Sequence, residues 1–279
     1  MKTEVRRSVC PYDCPDTCGL KIELVEGRAV RVAGDSEHPF TRGSLCPKMA
    51  HYERTVYSSE RVLHPLIRSG EKGSGQFRTV TWDEAIVCIA DHWKELITGY
   101  GAETILPFSY AGTMGLVQRN CGESFFHRLG ASRLARTICS SAKGYGWSSV
   151  MGETLAPHPD EIKKSDLIIL WGTNALATNL HLVHNVREAK MRGAVVWLVD
   201  TYETPTAKIA DNFVCVRPGC DGALALGIMH ILVREGLQNQ TFLNEYVQGF
   251  EDFRAECLPE FPRTKSVRLQ ELRLVSLKR

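Results

Sequence analysis

Several features that would place this chain among membrane, secreted or nucleic-acid-binding proteins are missing from its 279 residues. No apolar run approaches the roughly 20 residues that a helix needs to cross a bilayer, so we expect no membrane span. The net charge is only +2, which indicates neither a nucleic-acid partner nor an anionic membrane surface. Arg6 and Arg7 are not followed by the apolar segment of a secretory signal, so we expect a cytoplasmic location.

The sequence also lacks internal repeats, low-complexity stretches and the G-x-G-x-x-G pattern that binds NAD. Its hydrophobic content of 43% and charged content of 24% are ordinary for a globular protein with a real core. The length is enough for one large or two ordinary domains. The chain contains 10 cysteines, and in a reducing compartment these are expected as thiols, metal ligands or packed apolar groups rather than disulfides.

Three cysteines stand close together near the N-terminus, in the stretch CPYDCPDTC. Cys10, Cys14 and Cys18 are followed by Cys46, which gives the spacing C-x3-C-x3-C-x27-C. A triplet with one remote thiol is typical of a [4Fe–4S] cluster, in which each thiolate binds one iron. Zinc is the alternative metal, although structural zinc sites usually have paired cysteines on both sides. Four unrelated buried thiols are a third, less favoured interpretation.

The segment between Cys18 and Cys46 predicts a hairpin that returns the chain to its start. Apolar residues alternate with polar ones before and after a Glu26-Gly27 turn, at Ile22, Leu24, Val30 and Val32. Lys48 follows Cys46 by two residues. A solvated lysine is the ordinary interpretation. A cation beside a negative cluster would, however, raise its reduction potential and could connect it to a second redox centre.

The remainder of the chain predicts alternating helices and strands. Thr81 to Glu84 form a capping box, and apolar residues continue from it at helical spacing to about Tyr100. We expect a strand at Thr104–Tyr110 and a helix over about 116–129. From Asp166 to Gly236, almost continuously apolar strands alternate with helices, as in a parallel sheet covered on both faces. The predicted fold is therefore α/β, with a doubly wound sheet.

Ligands of such sheets bind beyond the carboxyl ends of the strands, where three loops are predicted. The first, WGTN, precedes a helix whose N-terminus would suit a diphosphate. The second begins at Asp200, which could accept hydrogen bonds from a ribose or a guanine, and the third contains Asp221. Either aspartate alone could equally begin a turn or cap a helix. The three loops together favour a nucleotide site.

Several motifs, found in the expected order, resemble the molybdenum/tungsten bis-pterin oxidoreductases, the dimethyl sulfoxide reductase family that includes formate dehydrogenases and nitrate reductases. They are the cysteine spacing, the C-P-K beginning at Cys46, HPLIRSGEKGSGQF and TWDEAI. The resemblance extends from about Ser8 to about Arg254. It implies two cofactors, a [4Fe–4S] cluster and a molybdenum (or tungsten) bis-molybdopterin guanine dinucleotide. It also implies a small N-terminal iron–sulfur β domain before the doubly wound, Rossmann-like α/β unit.

The resemblance divides the chain into four parts. Residues 1–62 would form the iron–sulfur domain, 63–135 the first and incomplete part of a pterin-binding α/β domain, and 136–262 the doubly wound domain that binds a pterin guanine dinucleotide. Residues 263–279 form a basic tail that is either aberrant or natural. The C-terminal barrel of the family is absent, so we expect this chain to be the N-terminal portion of a longer enzyme.

The resemblance also assigns residues of the three loops to the dinucleotide. The residues expected to line the diphosphate are Trp171, Gly172, Thr173 and Asn174. Those expected to approach the nucleoside are Asp200, Thr201, Tyr202, Glu203 and Thr204, and those near the guanine are Gly219, Cys220 and Asp221. Many family members have proline and arginine where this chain has Thr201 and Tyr202.

Cys139 is the expected protein ligand of the metal. It lies in the polar loop ARTICSSAKGYGW, and loops on a rigid scaffold often carry catalytic groups. The interval from Cys139 to Gly152 matches the family's ligand-to-glycine interval, and a thiolate is a soft donor that suits molybdenum or tungsten. Ser140 follows it where formate dehydrogenases normally have histidine, so formate is not implied as the substrate.

Other cysteines and histidines have plainer interpretations. Cys88, on the apolar side of a helix, and Cys215, in a strand, are expected to be small core residues. His181 and His184 are expected to form a polar helix face rather than a metal site, because no third ligand stands near them in the pattern.

Two main functions remain open at this point, and a zinc-ribbon binding module is a third, less favoured alternative. The first is a redox enzyme, or its N-terminal portion, that moves electrons between a small-molecule substrate at the metal and the cluster through Lys48. The second is a non-catalytic chain that binds cluster or pterin and needs a partner chain to complete it. The expected partners are an electron-transfer iron–sulfur subunit or a chain supplying the missing C-terminal part.

Overall fold

The computed structural model describes residues 2–258 apart from 111, 113, 114, 116, 139, 154 and 155, together with the backbone of Arg273–Ser276. The chain divides into two compact units, Met1–Ala156 and Pro157–Arg279. Each unit is built around its own sheet or sheets. Most of the basic tail predicted for residues 263–279 lies outside the described residues.

The first unit begins with a three-stranded antiparallel sheet of β1 (Thr3–Val9), β2 (Gly19–Val25) and β3 (Arg28–Gly34). The predicted hairpin is confirmed, because β2 and β3 pair across the Glu26-Gly27 turn with Ile22 opposite Val32. Both turn residues have positive φ, which glycine adopts at little cost and which sets the tight reversal.

After this sheet, the unit continues with short elements and one long helix. They are α1 (Tyr52–Val56), β4 (Leu66–Arg68), β5 (Phe77–Thr79), α2 (Trp82–Tyr100), a 3-10 turn (Ala102–Thr104), α3 (Glu123–Leu129) and α4 (Ser141–Met151). Strands β4 and β5 pair antiparallel. The predicted capping box of α2 is confirmed, since Thr81 Oγ1 accepts from Glu84 N and the Glu84 carboxylate accepts from Thr81 N.

Two predictions in this unit are wrong. The strand predicted at Thr104–Tyr110 does not form in the structure. Its backbone has no strand partner in the part of the chain that the structure describes, and a lone extended segment does not make a sheet. The helix predicted from about residue 116 begins only at Glu123, because Asn120 adopts a left-handed conformation at φ 59° that interrupts a helix.

The apolar face of α2 is only partly covered within its unit. Trp93 packs against Phe125 and Phe126, with ring centroids 6.3 and 5.9 Å away. Ile86 and Ile89, two turns and one turn earlier on the helix, are 59% and 51% exposed. Cys88 is also exposed, so its interpretation as a core residue is wrong.

The second unit is an α/β unit around one sheet. Strands β6 (Leu167–Trp171), β7 (Val195–Asp200) and β8 (Asn212–Cys215) are parallel neighbours, and β9 (Arg273–Ser276) pairs antiparallel with β8. The helical elements are a 3-10 helix (Pro159–Lys164), α5 (Ala175–Thr178), α6 (Leu182–Met191), a second 3-10 helix (Pro205–Ile209), α7 (Asp221–Arg234), α8 (Gln240–Tyr246), α9 (Phe250–Asp252) and a π-helical turn (Phe253–Cys257).

Helices cover both faces of this sheet, as the apolar strands predicted. One apolar cluster joins buried residues of α6, such as Val186, to Leu198 of β7 and Phe213 of β8. A second cluster joins Val199 and residues of β8 to Leu224 of α7. Alternate residues of β7 thus contribute to different clusters, because successive side chains of a strand point to opposite faces.

The histidines at the start of α6 differ from the prediction. His181 is fully buried, with 1% of its surface exposed, and His184 is half-buried. Their rings lie 6.3 Å apart. The interpretation as a polar helix face is therefore wrong for His181, because its side chain is buried where α6 begins.

Candidate functional site

Three of the four N-terminal cysteines belong to one small apolar core, and the fourth, Cys14, is close enough to Cys10 to be influenced by it. Cys18 is buried together with Leu20 and Met49, and Cys10 and Cys46 pack against the same group. The loop that carries the triplet closes on itself, because Cys10 N donates to Cys18 O at 2.9 Å. All four cysteines are free thiols, and Cys14 is half-buried beside them. Soft donors in an apolar pocket suit a cluster of iron and sulfide.

The pKa values of Cys14 and Cys18 show that the thiols influence one another. Burial, followed by the proximity of Cys10 and Asp16, raises the pKa of Cys18 to about 12. Burial also raises the pKa of Cys14, while the Asp16 N–H and the Lys48 ammonium act in the opposite direction. Lys48 is itself exposed, and its charge is near enough to Cys14 to favour the thiolate. The structure therefore brings Lys48 together with the cysteines.

Two glycines bring Cys46 back to the triplet. A methyl group at Gly34, the last residue of β3, would overlap the backbone carbonyl of Gly43. Only glycine allows the chain from Gly43 to Cys46 to lie this close to the hairpin. Beyond it, Met49 N and Ala50 N both donate to Cys46 O, at 3.0 and 3.2 Å, which fixes the backbone that carries the fourth thiol.

The four thiols do not form a ready-made site for a single metal ion. In the ranges that the structure describes, no three His, Cys, Asp or Glu side chains converge closely enough to hold one ion. Four cysteines that each bind a different iron at the corner of a cube stand further apart than the ligands of one zinc ion. A cavity of about 430 Å³ adjoins Cys10 and Cys14, with Gly115 and Gln118 on its wall.

The three predicted loops of the second unit lie at one edge of its sheet. Trp171, Asp200 and Cys215 end strands β6, β7 and β8, and these strands are parallel neighbours in register. Their carboxyl ends therefore share one rim, where open α/β sheets bind ligands. Gly172 N donates to Val199 O at 2.8 Å, so the first loop is held against the second strand.

Side chains join these loops in pairs. Trp171 Nε1 donates to Asp221 Oδ1 at 2.7 Å, which connects the first loop to the third. Thr206 Oγ1 donates to Asn174 Oδ1 at 2.9 Å, which connects the first loop to the second. Thr206 is fully buried and was not singled out from the sequence. A threonine among small residues gives no local signal of such a role.

The residues predicted to approach the nucleoside differ in their surroundings. Asp200 is hydrogen-bonded within its own turn, whereas the three residues after it are exposed. Asp200 Oδ1 accepts a hydrogen bond from Thr201 N at 2.7 Å, so one oxygen of the carboxylate is already bonded within the turn. Thr201, Tyr202 and Glu203 are exposed, with Tyr202 at 61%. Of the third loop, Gly219 is exposed with φ 81°, and Cys220 and Asp221 are half-buried at the start of α7.

Thr204 gives this rim a polar atom without a partner. Only 3% of its surface is exposed, and its Oγ1 accepts or donates no hydrogen bond among the described residues. Buried hydroxyls are normally hydrogen-bonded, because leaving one unpaired costs about 1–3 kcal/mol. An orphaned hydroxyl at the end of the predicted nucleoside loop fits a site that is completed by a polar ligand. Thr173, between Gly172 and Asn174, is half-buried.

Cys139, the predicted metal ligand, lies outside the described residues, and it remains a prediction. Its neighbour Ser140 precedes α4, and Ser141 Oγ donates to Arg136 O at 2.9 Å, so the start of this helix is anchored to the preceding segment. The cysteine core belongs to the first unit and the rim loops to the second.

Comparison with family models identifies both parts of the chain. Residues 3–58 match the Fe4S4 domain of molybdopterin oxidoreductases, and residues 61–256 match the molybdopterin oxidoreductase model itself. These two domains imply a [4Fe–4S] cluster and a molybdenum or tungsten pterin cofactor. The four cysteines all fall in the first match, and the three rim loops in the second.

Individual relatives agree with this assignment. The chain is 43% identical over 249 residues to the "Probable oxidoreductase YoaE" of Bacillus subtilis, covering 89% of this chain and 37% of that protein. It is 28% identical over 269 residues to the "Dimethyl sulfoxide reductase DmsA" of Haemophilus influenzae, covering 88% of this chain and 33% of that protein. The chain thus spans about a third to two fifths of the curated relatives it matches.

A solved structure supports the fold over nearly the whole chain. Acetylene hydratase from Pelobacter acetylenicus superposes with a TM-score of 0.77 at 25% identity, covering 96% of this chain and 37% of the hydratase. In the described part of the chain, no helix is long and apolar enough to cross a membrane. With two family domains matched over most of its length, the chain belongs to the molybdopterin oxidoreductase family, a family of enzymes.

Proposed function

We propose that this chain forms part of an oxidoreductase that moves electrons between a small-molecule substrate at a molybdenum or tungsten bis-pterin centre and a [4Fe–4S] cluster. The observation that carries the proposal is the core that contains Cys10, Cys18 and Cys46, with the Cys14 thiol and the Lys48 ammonium close to it. Relatives are named as reductases of dimethyl sulfoxide and nitrate, which supports a redox role.

In this proposal the three rim loops of the second unit hold one molybdopterin guanine dinucleotide. The backbone from Gly172 to Asn174 lies at the diphosphate, where Gly172 is exposed and has φ 61°. The loop from Asp200 to Thr204 lies at the nucleoside, and the Thr204 hydroxyl, which has no partner among the described residues, would form a hydrogen bond with it. Asp221 lies at the guanine. The division of the chain at residues 62, 135 and 262 is part of the same proposal.

The chemistry at the metal is assigned to Cys139. When bound, the pterin-held metal supplies a centre that changes oxidation state as substrate is converted. The part of this chain is to provide a soft thiolate that completes the coordination and to keep that thiolate in position. The bond from Ser141 Oγ to Arg136 O stabilises the helix start that follows the cysteine.

Lys48 is proposed to favour electron movement between the two centres. Replacing Lys48 with alanine in a full-length enzyme of this sequence should leave iron and molybdenum contents unchanged. Turnover should fall about tenfold, equivalent to ~1.4 kcal/mol of activation free energy. The midpoint potential of the cluster should become more negative, because a nearby positive charge is removed.

Lys72→Ala is the matched control for this experiment, because Lys72 is an exposed lysine of the same unit outside the cysteine core. It should change neither turnover nor potential. Unchanged turnover and potential in Lys48→Ala would return Lys48 to the class of ordinary solvated lysines. Redox titration followed by electron paramagnetic resonance gives the potential independently of activity.

The partners and location follow from the same proposal. We place the enzyme in the cytoplasm, with a small-molecule substrate and an electron-transfer iron–sulfur subunit as its redox partner. No nucleic acid is proposed as a ligand, since the net charge of the chain is only +2.

A second candidate function is a non-catalytic chain that binds cluster and pterin and requires a partner chain for activity. The exposed Ile86 and Ile89 on α2 favour it, because exposed apolar surface often marks a missing partner.

The expected result is that the isolated 279-residue chain holds at most one pterin dinucleotide, binds molybdenum or tungsten poorly and turns over no substrate. Metal analysis and a dye-coupled redox assay measure both. Near-stoichiometric metal with sustained turnover would contradict this candidate and favour a self-sufficient enzyme.

A further inference from the structure

One hydrogen bond joins two rim loops whose residues lie far apart in the sequence. Trp171 is the last residue of β6 and Asp221 the first residue of α7, 50 positions later. The indole N–H donates to Asp221 Oδ1 at 2.7 Å in a partly buried setting. A hydrogen bond from a neutral donor to a carboxylate is charge-assisted and stronger than one between neutral groups.

The indole is a fixed donor, since its ring is held by packing. Trp171 lies against the apolar cluster on the α7 face of the sheet, whose buried members are Val199, Val214, Val216 and Leu224. Packing against this cluster restricts the rotation of the ring. Its N–H therefore stays directed at the start of α7.

The carboxylate that receives this bond keeps acceptor capacity. A carboxylate has two oxygens with about four acceptor positions, and the indole occupies one of them. Within the residues that the structure describes, the indole is the hydrogen-bond partner of Asp221, and Oδ2 has none. Asp221 also lies in the first turn of α7, where the helix dipole favours a negative charge. The bond to Trp171 thus fixes the orientation of a charged acceptor at the rim.

We propose, resting on the dinucleotide site proposed above, that Trp171 is a positioning residue that orients the Asp221 carboxylate toward the adjacent N1–H and N2–H donors of guanine. The indole thereby sets the preference of the site for a guanine over an adenine nucleotide without touching the base. This role places the Trp171 side chain behind the guanine end of the site rather than along the diphosphate.

The selectivity follows from the pattern of donors and acceptors on the two bases. Guanine presents two neighbouring N–H donors on this edge, and a correctly oriented carboxylate accepts both. Adenine has an acceptor at N1, so the carboxylate would face a lone pair and lose a bond. A polar site that is left unpaired by an analogue rejects that analogue strongly. If the carboxylate is free to rotate, it no longer holds both acceptor positions toward the guanine N–H donors, and the difference in affinity between the two bases becomes smaller.

The test uses GDP and ADP as probes on the full 279-residue chain, with dissociation constants from calorimetric titration. The wild-type chain should bind GDP at least about tenfold more tightly than ADP, the effect of about one hydrogen bond to a charged group. Trp171→Phe removes the N–H and keeps an aromatic ring. It should reduce the GDP-to-ADP preference to about threefold or less.

Trp197→Phe is the matched control. Trp197 lies in β7 and packs against the same apolar cluster, and its indole N–H donates no hydrogen bond to any of the described residues. Losing its ring atoms should perturb packing to a similar degree and leave the nucleotide preference intact. A general loss of packing would lower the thermal stability of both variants but would not change the ratio of the two affinities.

A second measurement on the wild-type chain covers the case in which Trp171→Phe does not fold. Hydrogen exchange of the indole N–H groups, followed by nuclear magnetic resonance, should show Trp171 protected relative to Trp82, which is 69% exposed. GDP should slow the exchange of Trp171 further, and ADP should not. Exchange of Trp171 as fast as that of Trp82 would overturn the inference.

The remaining outcomes separate this inference from the proposed function. If wild-type chain prefers GDP and Trp171→Phe keeps the same preference, the positioning role is wrong while the dinucleotide site stands. If wild-type chain binds neither nucleotide, or both equally, the guanine assignment fails and the inference fails with it.

Discussion

Replacing Cys46 with alanine should remove the [4Fe–4S] cluster from the chain. After anaerobic reconstitution, the wild-type chain is expected to hold about four irons, one for each cysteine ligand. The variant should lose most of this iron. It should also lose the visible absorbance of the cluster and the electron paramagnetic resonance signal of its reduced form. The reason is geometric, because Cys46 is the one proposed ligand that reaches the core from outside the triplet loop.

Cys88→Ala is the control for this experiment, since Cys88 is an exposed thiol on α2 of the same unit. It should retain its iron in full. A variant at Cys46 with unchanged iron and an unchanged spectrum would exclude this residue as a ligand. Stoichiometric zinc without iron in the wild-type chain would instead exclude the cluster.

Leu198→Ala should destabilise the second unit by about 3 kcal/mol in the free energy of unfolding. Leu198 lies in the central strand β7, is fully buried and belongs to the cluster that packs against α6. Truncation removes apolar area from the core and leaves a cavity that the surrounding strands cannot fill. Urea unfolding, followed by the fluorescence of the tryptophans in β6 and β7, measures the loss.

Leu167→Ala provides the matched comparison, because it deletes the same atoms from the neighbouring strand β6 at a position that is 56% exposed. Substitutions at exposed positions usually change stability by less than about 0.5 kcal/mol. Equal losses in the two variants would mean that the sheet is not packed as described here.

Features that depend on local chemistry could be predicted from the sequence. The hairpin follows from alternating apolar residues around Glu26-Gly27, and the start of α2 follows from Thr81 and Glu84. Both are decided within a few residues, by turn conformation and by helix capping. The parallel strands were predictable for a similar reason, because a short apolar run between helices has few other ways to be buried.

Features that depend on distant partners could not be predicted in this way. The segment Thr104–Tyr110 has the residues of a strand, but no neighbouring strand pairs with it in the described structure. His181 has a polar side chain at a helical position, and only the packing around α6 buries it. The bonds from Trp171 to Asp221 and from Thr206 to Asn174 cross 50 and 32 positions, and no local pattern encodes them.

The candidate site was predictable as a set of residues but not as an arrangement. Family motifs assigned the four cysteines, Lys48 and the rim loops by position in the chain. They did not indicate that one oxygen of the Asp200 carboxylate is hydrogen-bonded to Thr201 N, or that the Thr204 hydroxyl is buried without a hydrogen-bond partner among the described residues. Such details depend on how neighbouring loops pack at the rim.

The close approach of Gly34 to Gly43 has a consequence for the order in which the N-terminal unit assembles. Without a side chain at Gly34, closure of the loop before Cys46 needs no rearrangement of the finished hairpin. The hairpin can therefore form first as a template, and the fourth thiol can arrive by closing a loop whose entropic cost grows only slowly with its length. Closure of this loop is therefore the step that completes the set of four thiols, because Cys46 reaches the core only when Gly43 lies against Gly34.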